Sequence, residues 1–566
     1  MCLVYFVVNN PNIQWIKGQM KFDFKKIRGL AGIGVLVMAF AASAFWVGYN
    51  DAKLRDTSTV RIRFCHWNLE AAPGFEAMIN DFQSDYFKKT GKKVVIEQIP
   101  VPYTGYAQYT NTGLIGKTAP DIIQIGCSGT LANVNNIARY FMPLGEQLSK
   151  PNPWNTGTPL EGVPWKDTFL DGMQSFIEPG LQEYYKIPLS TQNTRIYYNK
   201  DLLRGITGSD KFPEEYGDFM ALCEKVAAYS KSKGREVSPI AACYFQKMMF
   251  KEWYLFSFMQ DMIPASDFNF DGSVDKVESY NTRGDKWSFR NPEIEDSLKC
   301  SYDVVKYFMP GWMAAARDDM AFSFVQQKSL MTLTWGYDAK MIRDQVAGSF
   351  EIGISEVPMP FKDPVYSKYV KQLSEVTSAS ANPQAINAST KYPELCISFL
   401  QYATTSRANE KFNDNNFWIP IVKNTKIGVD WLKPFSPRLD GYAGRFEYNI
   451  GTQFNVVGDG YEGQFYSGRI PLEKYISSLR ELYAVSSERG FQDEMDRRYR
   501  VLRGFDRFNT VFLLLSYVGP EKGRKTFIPR LAPLNWSVEK QLFEYSSHLA
   551  LAERNKKKDG SADEAR

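Results

Sequence analysis

Histidine is nearly missing from this sequence: of 566 residues only His66 and His548 are histidines. That leaves no material for a His-rich zinc site or a Ser-His-Asp centre. There is no HExxH helix, no Walker loop and no GxGxxG turn, so the usual signatures of zinc proteases, nucleoside triphosphates and dinucleotides are absent. The seven cysteines are Cys2, Cys65, Cys127, Cys223, Cys243, Cys300 and Cys396. They form no CxxC pair and no dense framework, which leaves at most one or two disulfides that spacing does not pair. Charge of one sign is lacking too. The formal net charge is +5, and residues 1–44 carry five basic side chains against Asp23, so the remainder holds 63 basic and 62 acidic groups. A balance of +1 excludes an electrostatic nucleic-acid binder.

What the chain has in excess is aromatic surface: 12 Trp, 32 Tyr and 39 Phe, 15% of all residues. These rings either pack cores or line a cleft for a ligand with flat apolar faces. The length implies two or three domains. The segment MKFDFKKIRGLAGIGVLVMAFAASAFWVG (20–48) has a basic start, an apolar run and a small-residue ASA, the layout of a secretory signal peptide. Its run from Gly29 to Gly48 is close to spanning length, so an uncleaved membrane anchor competes with cleavage. Export is expected either way, to the periplasm or the outside of the cell. The polar C-terminal tail with RNKKK (554–558) reads as disordered.

TVRIRFCHW (59–67) alternates like a half-buried strand. PGFEAMINDFQSDYFKKTG then sets Phe75, Met78, Ile79, Phe82 and Tyr86 on one helical face, with Gly91 as its C-cap. KKVVIEQIP, a helical stretch around 105–116 and APDIIQIG (119–126) complete a β-α-β-α-β unit, hence a parallel sheet covered by helices. Ligands of such sheets bind beyond the carboxyl ends of the strands. Those ends are His66, Trp67 and Asn68 after the first strand, and Gly126, Cys127 and Ser128 after the third.

Further on come YKIPLSTQNTRIYYNKDLL, AFSFVQQKSLMTLTWGYDA, EVPMP and the helix ISFLQYATTSRANEKF before FWIPIV. In this order, with GKTAPDIIQIG and the FEAMINDFQ helix, the boxes resemble the extracellular solute-binding proteins of bacterial ABC transporters. The similarity is to the sugar-binding type related to maltose-binding protein, over residues 58–425. It implies an α/β, two-lobed periplasmic-binding-protein fold (type II), whose hinged lobes close on a solute without altering it and then dock a membrane permease. The expected division is residues 58–183 plus 308–352 for lobe one and 184–307 plus 353–450 for lobe two. A helical C-terminal extension follows over 451–566.

A sugar presents apolar C–H faces and a rim of hydroxyls, so its site needs flat rings and short polar side chains. The resemblance sets Trp67, Trp335, Tyr337 and Trp418 at the cleft. It adds His66, Asn68, Glu70, Ser128, Gln192, Asn193 and Asp338 as polar partners. For the tryptophans the alternative is core packing; for Asp338 it is helix capping. Two other readings share the exported, aromatic-rich chain. One is a glycoside hydrolase or lyase, which needs two carboxylates about 5–10 Å apart across the cleft; Glu70 and Asp338 are the pair on offer. The other is a membrane-tethered sensor of the same fold.

DFNFDGSVDKVE (267–278) matches D-x-[DN]-x-[DN]-G-x5-E throughout. Asp267, Asn269 and Asp271 would supply side-chain oxygens to calcium, Ser273 its carbonyl, Asp275 a direct or water-mediated contact and Glu278 both carboxylate oxygens. Pro264 and the polar stretch after Glu278 argue for a lone calcium clip on a surface loop of lobe two, with a structural role. No organic cofactor is expected.

Overall fold

The computed structural model describes residues 59–564 apart from 127–133, 179, 235, 372–374, 376–379, 443 and 520, together with residues 38 and 43. The proposed leader and Ser128 thus lie outside the described residues. Among those described, no helix is long and apolar enough to cross a membrane.

Alternation makes β1 (Thr59–His66), which buries Ile62 and Phe64. The apolar face of helix α1 (Ala72–Thr90) covers it with Phe75, Met78, Ile79 and Phe82. A proline in its first turn favours initiation, and Gly91 at φ 70° ends it by donating its N–H to Phe87 O. After β2 (Lys93–Pro100), α2 (Tyr103–Ile115) and β3 (Ile122–Gln124), β1 lies between two parallel neighbours, as the spacing predicts. The second sheet contains β4 (Thr194–Asn199), β5 (Ser238–Ala241), β6 (Ser329–Trp335) and β7 (Ile352–Ser355), in the order β7-β4-β6-β5. Helix α3 (Tyr244–Phe258) leaves the end of β5. The chain then returns, and β8 (Gln384–Ile386) adds antiparallel to β3 at the edge of the first sheet.

This topology corrects the expected lobe boundaries. Residues 308–352 belong to lobe two, because β6 is hydrogen-bonded to β4 on one side and β5 on the other. Residues 384–422 belong to lobe one, where Ile386, Phe399, Phe412 and Val422 share a core with Phe64 and Phe75. Periodicity identifies a strand but carries no information on which sheet receives it.

The chain therefore crosses between lobes at 190–193, at 380–383 and again at 423–430. Ser190–Thr191 and Ser380–Ala381 pair antiparallel in the first two crossings. Arg195, 1% exposed, ties together residues that flank these crossings. Its guanidinium donates to both carboxylate oxygens of Glu375 at 2.6 and 3.0 Å, and its Nε donates to Pro434 O at 2.6 Å. Glu375 is itself 4% exposed and also accepts from the Arg438 N–H at 2.8 Å.

The extension consists of α4 (Thr452–Tyr466), α5 (Leu472–Val518) and α6 (Glu521–Glu564). At 1.5 Å per residue the 47 residues of α5 run about 70 Å. It is built into lobe two: Phe465 stacks on Tyr302 at 4.7 Å and Phe491 on Tyr280 at 4.4 Å. Gly490 lets the Ile450–Gly451 backbone pass over α5; a Cβ there would lie 2.8 Å from Ile450 O. Further along, Phe505, Phe512 and Leu534 pack with Tyr106 and Leu114 of lobe one, and Arg530 donates to Ala138 O at 2.6 Å. The α5–α6 hairpin thus touches both lobes. The tail expected to be disordered is helical to Glu564, with Asn555 donating to Asn281 O at 2.8 Å and Lys556 pairing with Glu488 at 2.6 Å. Its charged composition is compatible with order because part of the helix is docked.

Candidate functional site

On lobe one, β1 delivers Trp67 to the start of a turn beside the crossings. The half-buried ring meets Tyr106 edge-on at 5.1 Å and Tyr103 at 6.1 Å. Tyr103 is 55% exposed, so the pair offers a partly open aromatic edge. Below it runs a chain of amides. Gln124 Oε1 accepts from the Trp67 N–H at 3.2 Å, and Gln124 Nε2 donates to Asn382 Oδ1 at 3.2 Å. Asn68 Nδ2 donates to the same oxygen, while Asn382 Nδ2 donates to Ser190 Oγ at 3.2 Å. Asn382 has φ 54°, a left-handed conformation that asparagine tolerates, just before Pro383. This hub escaped the sequence reading, although its Asn-Pro pair is a turn signal.

On lobe two, Trp335 ends β6 opposite Thr194 at the start of β4. The Trp335 and Tyr337 rings lie nearly parallel, 6.1 Å apart at 10°. Trp253 of α3 donates from Nε1 to Thr194 Oγ1 at 2.9 Å, which brings a third ring to this corner. Sequence reasoning did not single out Trp253 for the cleft; the strand pairing that places it beside Trp335 is not visible in periodicity. Gly336 N–H donates to Asn193 O, and Asn193 Nδ2 donates to Phe435 O at 3.0 Å, so Asn193 fixes the crossing. Gln192 is half-buried in the same segment. Asp338, 9% exposed, accepts from Thr334 Oγ1 at 2.5 Å and from Arg317 at 2.8 Å. Burial pushes its carboxyl above the usual range even with these donors present.

Two expected contacts are corrected. His66 is fully buried, its ring 4.4 Å from Phe75 and 5.3 Å from Phe64, and burial lowers its pKa to about 4. It is a neutral core residue because the β1 pleat turns it inward, while the half-buried Trp67 ring lies on the other face against Tyr106. Trp418 is 7% exposed and meets Phe412 edge-on inside lobe one. Glu70 is exposed in the turn Leu69–Ala71.

A second concavity of about 490 Å³ lies where the extension meets lobe two, between α3, residues 445–449 and α4. Its wall holds a buried cluster: Glu462 pairs with Lys247 at 3.0 Å and with Lys251. The two ammonium groups draw the Glu462 carboxyl down to about 2 despite its burial.

In the loop 267–278, the side-chain oxygens mostly hold the loop's own backbone. Asp267 accepts from Gly272 N–H at 2.8 Å, Asn269 from Asp271 N–H at 2.9 Å and Asp271 from Ser273 N–H at 3.1 Å. Gly272 takes φ 85° for the turn. Val274 bridges to Phe446: its N–H donates to Arg445 O, and its carbonyl accepts from Glu447 N–H, both at 2.8 Å. Asp275 caps the helix Lys276–Thr282 and pairs with Arg498 of α5 at 2.5 Å. Glu278, 1% exposed, accepts from the N–H groups of Phe268 and Asp275; burial, then the Asp275 charge, push its carboxyl up to about 7. Among the described residues no group of three or more His, Cys, Asp or Glu is drawn together as for a metal ion.

Two α/β lobes, three connecting segments and aromatic corners on both sides of those segments define a two-lobed binding protein. Residues 66–410 match the family model of bacterial extracellular solute-binding proteins, and the chain belongs to that family. The multiple sugar-binding protein of Streptococcus mutans is 25% identical over 409 residues, 69% of this chain and 81% of that protein. Among solved structures, unliganded RafE from Streptococcus pneumoniae is similar with TM-score 0.54 at 16% identity, covering 75% of this chain and 98% of RafE. Maltose-bound MalE3 of T. maritima has TM-score 0.50 at 16% identity, covering 75% of this chain and all (100%) of that one. These structures establish the two-lobed fold.

Proposed function

We propose that the protein captures a carbohydrate, an oligosaccharide, between its lobes and presents it to the membrane subunits of an ABC importer. The observation that carries this is the pair of aromatic corners, Trp67–Tyr103 and Trp253–Trp335–Tyr337, flanking the same crossings with amides between them. Rings match the C–H faces of a sugar, and amides match its hydroxyls. The names of the S. mutans and T. maritima relatives, sugar-binding and maltose-bound, agree with this class of ligand. Asp338 is committed to Arg317 and Thr334, which removes one of the two carboxylates a hydrolase would need and favours binding without turnover.

A thermal-shift screen against maltose- and raffinose-type oligosaccharides tests the reading. A sugar at 100 times its Kd adds about 2.7 kcal/mol of stability and is recovered unaltered. Trp335→Ala removes roughly 100 Å² of stacking surface, about 2 kcal/mol or thirty-fold in Kd. No stabilisation by any sugar, or cleavage of the sugar, defeats the proposal.

We also propose one calcium ion for residues 267–278, on the support of the complete loop spacing, the Gly272 turn and the Val274 bridge that anchors the loop to residues 445–447. Asp275 faces Arg498, so its share of the coordination would run through water. Calcium should raise the melting temperature of the chelator-treated protein, and Glu278→Gln should abolish that increment while leaving sugar-induced stabilisation in place. Identical melting with calcium and with chelator would refute it.

A further inference from the structure

The far end of the α5–α6 hairpin carries apolar side chains that no described residue covers. Val511, Leu514 and Val518 follow one another at helical spacing and are 49%, 58% and 72% exposed. Tyr517 is 75% exposed, and Ile528 on the returning helix 56%. The interior of this tip is already filled, by Phe512 against Phe527 at 5.1 Å and Arg530 over the Phe512 ring at 4.4 Å. The outer residues therefore have no packing role among the described residues.

The charge around them is one-sided. Residues 499–530 hold seven basic side chains against Asp506 and Glu521, a net +5 that equals the formal charge of the whole chain. Arg500, Arg503, Arg507 and Arg524 are exposed and form no ion pair with a described residue, whereas Arg497 and Arg498 just before them are both paired with Glu494. Arginines left without carboxylates beside exposed leucine, valine and tyrosine match a surface that is anionic outside and hydrocarbon beneath. Tyrosine and arginine suit that boundary because each has an apolar body and a polar end.

We propose that the hairpin tip, residues 507–528, docks on the headgroup region of an anionic lipid bilayer, with Leu514, Tyr517 and Val518 entering the acyl boundary and the arginines pairing with lipid phosphates. An exposed apolar patch this size on a soluble chain otherwise invites association, and its basic rim selects a lipid surface over a neutral one. The proposal is independent of what the cleft binds.

Hydrogen exchange of the full chain with vesicles reads the tip separately from any insertion of the N-terminal apolar run. Vesicles of phosphatidylglycerol should slow exchange in peptides covering 507–528 by at least about tenfold, and phosphatidylcholine vesicles should not. Leu514→Glu with Tyr517→Glu should erase the protection. Each of Arg503→Gln, Arg507→Gln and Arg524→Gln should weaken it about fivefold, and 0.5 M salt, roughly, should do the same for the unaltered chain. No protection on anionic vesicles, equal protection on neutral ones, or protection that survives the glutamates overturns the proposal. So does protection that arises only when a membrane protein is present.

Discussion

Glu375→Gln is expected to cost about 3–5 kcal/mol of stability, because it leaves the Arg195 guanidinium charged and 1% exposed with only Glu356, 4.0 Å away and shared with Arg438, as a carboxylate partner. Arg195 donates to Glu375, Thr194 O, Pro434 O and Ser436 O. Those carbonyls are neutral, and both oxygens of Glu356 are engaged by Arg438, so neither replaces the two direct bonds to Glu375. The loss should be read as a fall in the denaturant midpoint at unchanged slope. Replacing both partners by apolar residues of similar size, Arg195→Met with Glu375→Leu, should recover much of it, since the desolvation cost of both charges disappears together. If the single variant melts like the parent, the pair is not bracing the crossings.

Acid should expose a second buried group. The His66 pKa is lowered from 6.5 to about 4 by burial. A group depressed in the folded state contributes stability that is complete above its unfolded pKa and is lost as pH falls through the folded one. The window therefore runs from about 6.5 down to 4, and the loss at pH 4 is about 3 kcal/mol. His66→Phe cannot take up a proton and should lack this loss. The stability difference between variant and parent should shift by about 3 kcal/mol in favour of the variant from pH 7 to pH 4. A difference independent of pH would mean that His66 is not held neutral. His548, also buried and lowered to about 4, acts in the same direction.

Much of lobe one was legible before any coordinates. Alternation in TVRIRFCH, the four-residue recurrence in FEAMINDF and Gly91 each report a local conformation, and each is found where expected. The family and the two-lobed fold followed from the order of such segments. What could not be read was partnership across distance. β6 was given to the wrong lobe because its apolar run fits either sheet. Trp418 was expected at the cleft but lies in the core of lobe one, because a tryptophan in a turn looks the same whether its neighbours are core rings or open space. His66 and Trp67 are adjacent, and one step of the pleat decides which is buried. The asparagine hub at 382 depends on contacts with residues near 68, 124 and 190, beyond any local window.

The hairpin that rests on both lobes has a thermodynamic consequence. Phe505, Phe512 and Leu534 hold lobe one while Phe491 and Asn555 hold lobe two. Large swings of one half against the other would have to strip that seam of its apolar contacts. Guest capture should then proceed by small adjustments in a receptor already assembled, and calorimetry should record a modest negative heat-capacity change, since little fresh hydrocarbon leaves water when the halves meet.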